Sequence, residues 1–151
     1  MSHLVLYDGV CGLCDHFVQF LVRIDGHDRL RFAALQGPKG AEILKRQGRS
    51  ADALDTVIVV ADYESASPRL LDRSDAAIYA IASTGGIYRA ASALRIVPRF
   101  LRDWAYNLIA RWRYRIFGRF DACPIPAPRT REKFLDFPQR PAGRVYSQSS
   151  R

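Results

Sequence analysis

Cys11 and Cys14, in the run Asp8-Gly9-Val10-Cys11-Gly12-Leu13-Cys14, stand at the spacing that lets one thiol attack a disulfide formed on the other. Three readings fit such a pair: thiol-disulfide exchange, half of a structural metal site, or two inert packing cysteines. Position favours the first. Leu4 to Tyr7 is a short apolar run that reads as a buried strand, Asp8-Gly9 is a turn signal, and Leu13, Phe17, Leu21 and Ile24 recur at helical spacing. The thiols therefore lie where strand becomes helix. A first helical turn offers unpaired N–H groups and the positive end of the helix dipole, and both stabilise a thiolate. Cys11 is the expected nucleophile. Cys14, one turn further along the same side, is the expected resolving thiol. Asp8 either accepts the proton that Cys14 loses, its pKa raised by partial burial, or makes local backbone bonds as a turn aspartate. Asp15 complements the helix dipole, and His16 is expected to be exposed.

The elements that position these residues follow in order. Gly26 and Asp28 mark a turn, and Arg29 to Ala34 alternates polar and apolar as a strand does, closing a βαβ unit of about thirty residues. Pro38 opens a short helix that Gly48 can end. Thr56 to Ala61 is a continuous, largely β-branched run, the mark of a central strand covered on both faces. A turn-rich segment from Asp62 to Pro68 then leads to a strand around Arg69 to Leu71. Ser74 is expected to cap a third helix with Asp75 in its first turn, and Gly85-Gly86 stops it. Residues 88–97 read as helical, and Pro98 begins a longer helix to about Phe117. In that helix Leu101, Trp104, Leu108, Trp112 and Ile116 form one stripe, expected to pack against the sheet domain, with the arginines, Arg113 among them, on the remaining surface.

These 151 residues, 48% hydrophobic, suffice for one domain with a real core. No signal peptide is read at the N-terminus, and no apolar run approaches the roughly 18 residues of a membrane span. Three cysteines without a framework spacing point to a reducing compartment, hence a cytoplasmic protein. The net charge of +8 is concentrated at one end: residues 1–90 carry 10 Lys+Arg and 11 Asp+Glu, and residues 91–151 carry 13 and 4. The basic part could face an anionic membrane or an acidic partner, or simply solvent. Nucleic-acid binding has no recognisable motif behind it and is not expected.

The element order β-α-β-α-β-β-α with Cys-x-x-Cys opening the first helix resembles the thioredoxin fold. Leu6 to Cys14, Arg31-Phe32-Ala33, Ser74-Asp75-Ala76, Tyr114 to Arg119 and Asp121-Ala122-Cys123-Pro124 are together similar to the DCC-type thiol-disulfide oxidoreductase family, named for an Asp and two Cys, here Asp8, Cys11 and Cys14. The resemblance covers about residues 4–126. It implies an α/β, thioredoxin-like βαβαββα core over residues 1–86 with a C-terminal helical extension packed on it over 87–123; the tail over 124–151 lies outside it, and its Pro/Arg-rich composition reads as poorly ordered, with Phe134, Leu135 and Phe137 able to dock. The implied activity is exchange between a dithiol and a protein or small-molecule disulfide, without a bound cofactor. Two features depart from thioredoxins: Leu13 replaces their proline between the cysteines, and Asp55-Thr56 stands where they place a cis-proline.

Two further positions carry candidate chemistry. Ser74-Asp75 resembles the place where glutaredoxins hold the charged ends of glutathione, an anion contact that competes with the plainer reading of a helix cap. Cys123 lies in a polar segment and is a candidate third thiol, a third metal ligand or a plain structural cysteine. The alternative to an oxidoreductase is accordingly a non-catalytic zinc-binding or adaptor module using Cys11, Cys14 and Cys123.

Overall fold

The computed structural model describes residues 2–49, 56–119 and 128–136. Its centre is a four-stranded sheet of β1 (His3–Tyr7), β2 (Leu30–Ala34), β3 (Ile58–Ala61) and β4 (Arg69–Asp72), in the order β2-β1-β3-β4. β1 runs parallel to β2, with Val5 opposite Phe32, and antiparallel to β3, with Val5 opposite Val59; β4 pairs antiparallel with β3. Because β1 and β3 are interior strands, every residue of both is buried. Successive side chains point to opposite faces. Leu4, Leu6, Ile58 and Val60 thus pack on one side with Leu44 of α2 (Pro38–Arg46), while Val5, Tyr7, Phe32 and Val59 pack on the other with Val18 and Leu21 of α1 (Gly12–Ile24) and Ala76 and Ala80 of α3 (Arg73–Ser83). Burying a side chain the size of Phe32 contributes roughly 1.5–3 kcal/mol. This is the expected thioredoxin-like α/β core.

Two boundaries differ from expectation. α3 begins at Arg73 with Asp72 as its N-cap, so Ser74 lies inside the first turn and is not the cap. Of residues 88–97, all but Val97 fall in a 3-10 segment, Gly86–Ile96, packed along α3. The long helix α4 (Arg99–Ile116) stops where Gly118 adopts a φ of +74°, a left-handed position that glycine takes without a Cβ clash.

The orientation of α4 is the main correction to the sequence reading. Leu101, Trp104, Leu108, Trp112 and Ile116 do not pack against the core: all five are exposed, Trp104 at 63% and Ile116 at 68%. The face turned inward carries Arg102, Tyr106, Ala110 and Arg113. α4 lies mainly on α1 and α3 as an outer layer, with Tyr114 packed on the core and polar contacts along its inward face. Arg102 pairs with Asp75 at 2.7 Å, and Ser74 donates to Asp103 at 2.5 Å.

Near the C-terminus Phe134 is buried against Phe32 and Tyr7, and the N–H of Leu135 donates to the Phe32 carbonyl. Asp136 accepts from the N–H groups of Ala34 and Lys39. Phe137 lies outside the described residues.

Candidate active site

The turn Asp8 to Val10 ends β1, and Cys11 follows as the N-cap of α1, in extended conformation and without a side-chain capping bond. The N–H groups of Leu13 and Cys14 face its sulfur, while that of Gly12 is taken by the Gly118 carbonyl. Both cysteines are free thiols, and both are buried, Cys11 at 0% and Cys14 at 4% exposure. The Cys14 thiol donates to the Cys11 sulfur, which is the largest influence on either group. Together with the N–H groups of Cys14 and Leu13 and the Arg113 charge, it overcomes burial and brings Cys11 from 9.0 down to about 6. Cys14 moves the opposite way, raised by donating to Cys11, by burial and by the Cys11 charge. The pair is split into a thiolate and a protonated thiol.

Arg113, 3% exposed, lies beside them. Its Nη1 is 4.0 Å from the Cys14 sulfur and its Nη2 is 3.3 Å from Asp8 Oδ2. The Tyr114 hydroxyl donates to the same Oδ2 at 2.5 Å, and Gln36 and the Val10 N–H donate to Oδ1 at 2.8 and 3.1 Å. Burial works to raise the Asp8 pKa, but these four partners outweigh it and hold the carboxyl below its usual range. The expected upward shift is therefore reversed. Asp8 makes the turn bond expected of an aspartate there and also fixes Arg113 and Tyr114 beside the dithiol.

Two parts of the C-terminal extension cover the pair. Residues 117–119 cross the start of α1: Arg119 forms an antiparallel bridge with Cys11, and the Gly12 N–H donates to the Gly118 carbonyl at 3.3 Å. A Cβ on Gly12 would stand 2.2 Å from the Phe117 carbonyl oxygen, so this crossing requires glycine at that position. From α4 itself, the Tyr106 hydroxyl lies 2.9 Å from Thr56 Oγ1 and accepts from the Val57 N–H at 3.0 Å. A cavity of about 170 Å³ remains, lined by Leu13, Cys14, Phe17, Val57, Tyr106, Ile109 and Arg113 with two alanines. Cys14 opens into it and Cys11 does not line it.

Other expected site residues lie elsewhere. Ser74 and Asp75 are engaged by Asp103, Arg102 and Arg99, which leaves them docking α4. His16 is exposed, with Nδ1 2.7 Å from the Gly12 carbonyl oxygen. Cys123 lies outside the described residues, and among those described no three His, Cys, Asp or Glu side chains are grouped to hold a metal. Sequence reasoning missed Arg113 and Tyr106. A usable signal existed, since Arg102, Tyr106 and Arg113 recur at helical spacing on one side of α4, but a stripe of arginine and tyrosine reads as solvent-facing beside one of tryptophan and leucine.

A mixed sheet with a buried dithiol at the N-terminus of its first helix defines a thioredoxin-like dithiol protein. More narrowly, the chain belongs to the DCC1-like thiol-disulfide oxidoreductase family, whose model matches residues 5–119. It is 32% identical to the uncharacterized protein YuxK of Bacillus subtilis over 134 residues, covering 89% of this chain and 94% of YuxK. It is 33% identical over 123 residues to a chloroplastic DCC family protein of Arabidopsis thaliana, covering 81% and 69% of the two chains. No solved structure matches it. Among the described residues no helix is long and apolar enough to cross a membrane.

Proposed function

We propose that the protein exchanges its Cys11–Cys14 dithiol with the disulfide of a protein or small-molecule substrate. The observation that carries this reading is the placement of two free thiols one turn apart at the head of α1, with the Arg113 guanidinium 4.0 Å from Cys14; this setting lowers the Cys11 pKa and raises that of Cys14. The Cys11 thiolate attacks one sulfur of the substrate disulfide; the S–S bond breaks, and the second sulfur leaves with the electron pair and takes a proton from water. Forming the mixed disulfide removes the charge on Cys11, and with it the main influences holding the Cys14 proton, while Arg113 stays 4.0 Å away. Cys14 then ionises more readily and attacks the Cys11 sulfur. The second substrate thiol departs, and the two electrons lost by the pair reside on the two substrate thiols. Residues 117–119 must move aside for the first step, because Cys11 is fully covered.

Asp8 serves here as the residue that positions Arg113, rather than as the base. We place the reaction in the cytoplasm, since three cysteines without a framework spacing suit a reducing compartment. The test is titration of the reduced protein against glutathione redox buffers, read by mass spectrometry, with Cys11→Ser and Cys14→Ser as controls. A reversible two-electron couple that needs both residues, with Cys11 alkylated first, is the expected result. Thiols that react only after a chelator is added would replace this reading with a metal site.

A further inference from the structure

We propose that the outward face of α4 docks on an anionic lipid surface. From Gly86 to Arg119 the sequence has eight arginines and one acidic residue, Asp103, and that carboxylate is turned inward to Ser74. With 3.6 residues per turn, Leu101, Leu108, Ile109, Trp112 and Ile116 share one flank of the exposed face, and Arg111 and Arg115 adjoin it beside Trp104. All of these residues are exposed. Leu94 and Ile96 of the 3-10 segment are exposed as well. Among the described residues Arg111, Arg115 and Arg119 have no carboxylate partner, and the Arg115 guanidinium lies over the Trp112 ring at 5.5 Å.

Charge decides between the occupants this ridge could have. A second copy paired about a two-fold axis would set one arginine-bearing, acid-free face against another like it, so no carboxylate would meet these arginines. The terminal stretch 137–151 adds Arg140, Arg144 and Arg151 and no acid, so it complements the face no better. Anionic headgroups complement it, and the apolar flank needs only the boundary between headgroup and acyl chain, where tryptophan and arginine both settle. A helix lying in that boundary does not span the bilayer, in keeping with an α4 that is not apolar enough to cross one. This proposal does not rest on the dithiol chemistry and stands if that chemistry fails.

Both tryptophans of the chain, Trp104 and Trp112, lie on this face, so intrinsic fluorescence reports on it directly. The full chain is mixed with vesicles of phosphatidylcholine alone or with phosphatidylglycerol added, at low and high salt, and binding is read by sedimentation and emission. The expected result is a blue shift and pelleting with anionic vesicles only, weakened by salt. Arg111→Glu with Arg115→Glu should weaken binding by more than fivefold for each arginine lost, about what one basic residue contributes near such a surface. Arg111→Lys with Arg115→Lys should retain it, and Leu101→Glu with Leu108→Glu should abolish it with circular dichroism unchanged. Absence of binding at low salt overturns the proposal. So does a blue shift that follows protein concentration without vesicles, the mark of self-association, or an equal blue shift when soluble polyglutamate replaces the vesicles, the mark of an acidic protein partner.

Discussion

Arg113 Nη1 stands 4.0 Å from the Cys14 sulfur while Nη2 reaches the Asp8 carboxylate, so one buried guanidinium links a residue of the first turn to the resolving thiol. The charge supports the Cys11 thiolate and remains beside Cys14 after Cys11 has reacted. Arg113→Met should raise the pH midpoint of Cys11 alkylation, and it should cost about 3 kcal/mol of stability because Asp8 is left buried with fewer partners. Arg113→Lys should keep more of the thiolate than Met does. Alkylation rate against pH, with denaturant unfolding alongside, checks both.

Gly12 allows residues 117–119 to lie over Cys11. Gly12→Ala puts a methyl where the Phe117 carbonyl now sits and should lift that crossing away, costing about 1–3 kcal/mol. Cys11 should then react with iodoacetamide faster than in the wild type at a pH well above its midpoint, where both are thiolates. An unchanged rate would show that the crossing does not limit access.

The lowered Cys11 pKa makes the stability of the reduced protein depend on pH. The folded state holds fewer protons at Cys11 than the unfolded chain between about pH 6 and 9.0, so this contribution is present above 9.0 and is lost as pH falls towards 6. Stability of the reduced form should rise with pH across that window by up to about 1.4 kcal/mol per unit. Cys14, with its raised pKa, works against stability above the window. Urea unfolding of reduced, oxidised and Cys11→Ser protein at several pH values should show the slope in the reduced wild type alone.

Asp8 supplies a separate acid limb. Its lowered pKa contributes stability above the ordinary carboxyl range that disappears as pH falls through the folded value. Tyr114→Phe removes the 2.5 Å bond and should move acid unfolding to higher pH, with a loss of about 1–2 kcal/mol at neutral pH. An acid-unfolding midpoint identical to wild type would remove Tyr114 from the network.

Much of this architecture is legible in local patterns. The strands β1 and β3, the helix that opens at the cysteines, Pro38 at the start of α2 and the stop near Gly118 each follow from short-range signals in apolar runs, turns and caps. So does the thiolate position, because the N-terminus of a helix is set by the residues around it. The resemblance carried by Asp8, Cys11 and Cys14 extended that reading to the family.

Local patterns along the chain thus specify the order of elements and the placement of two sulfurs at the head of the first helix. Which side of α4 meets the core is settled by long-range contacts instead. Periodicity favours the tryptophan and leucine stripe, yet the inward face is fixed by partners far off in the chain: Asp8 and Cys14 for Arg113, Val57 and Thr56 for Tyr106, Asp75 for Arg102. A hydrophobic pattern is a property of one helix and can be read along it. A buried arginine is tolerable only where a carboxylate and a dithiol wait to receive it, and that meeting exists only once the chain has folded.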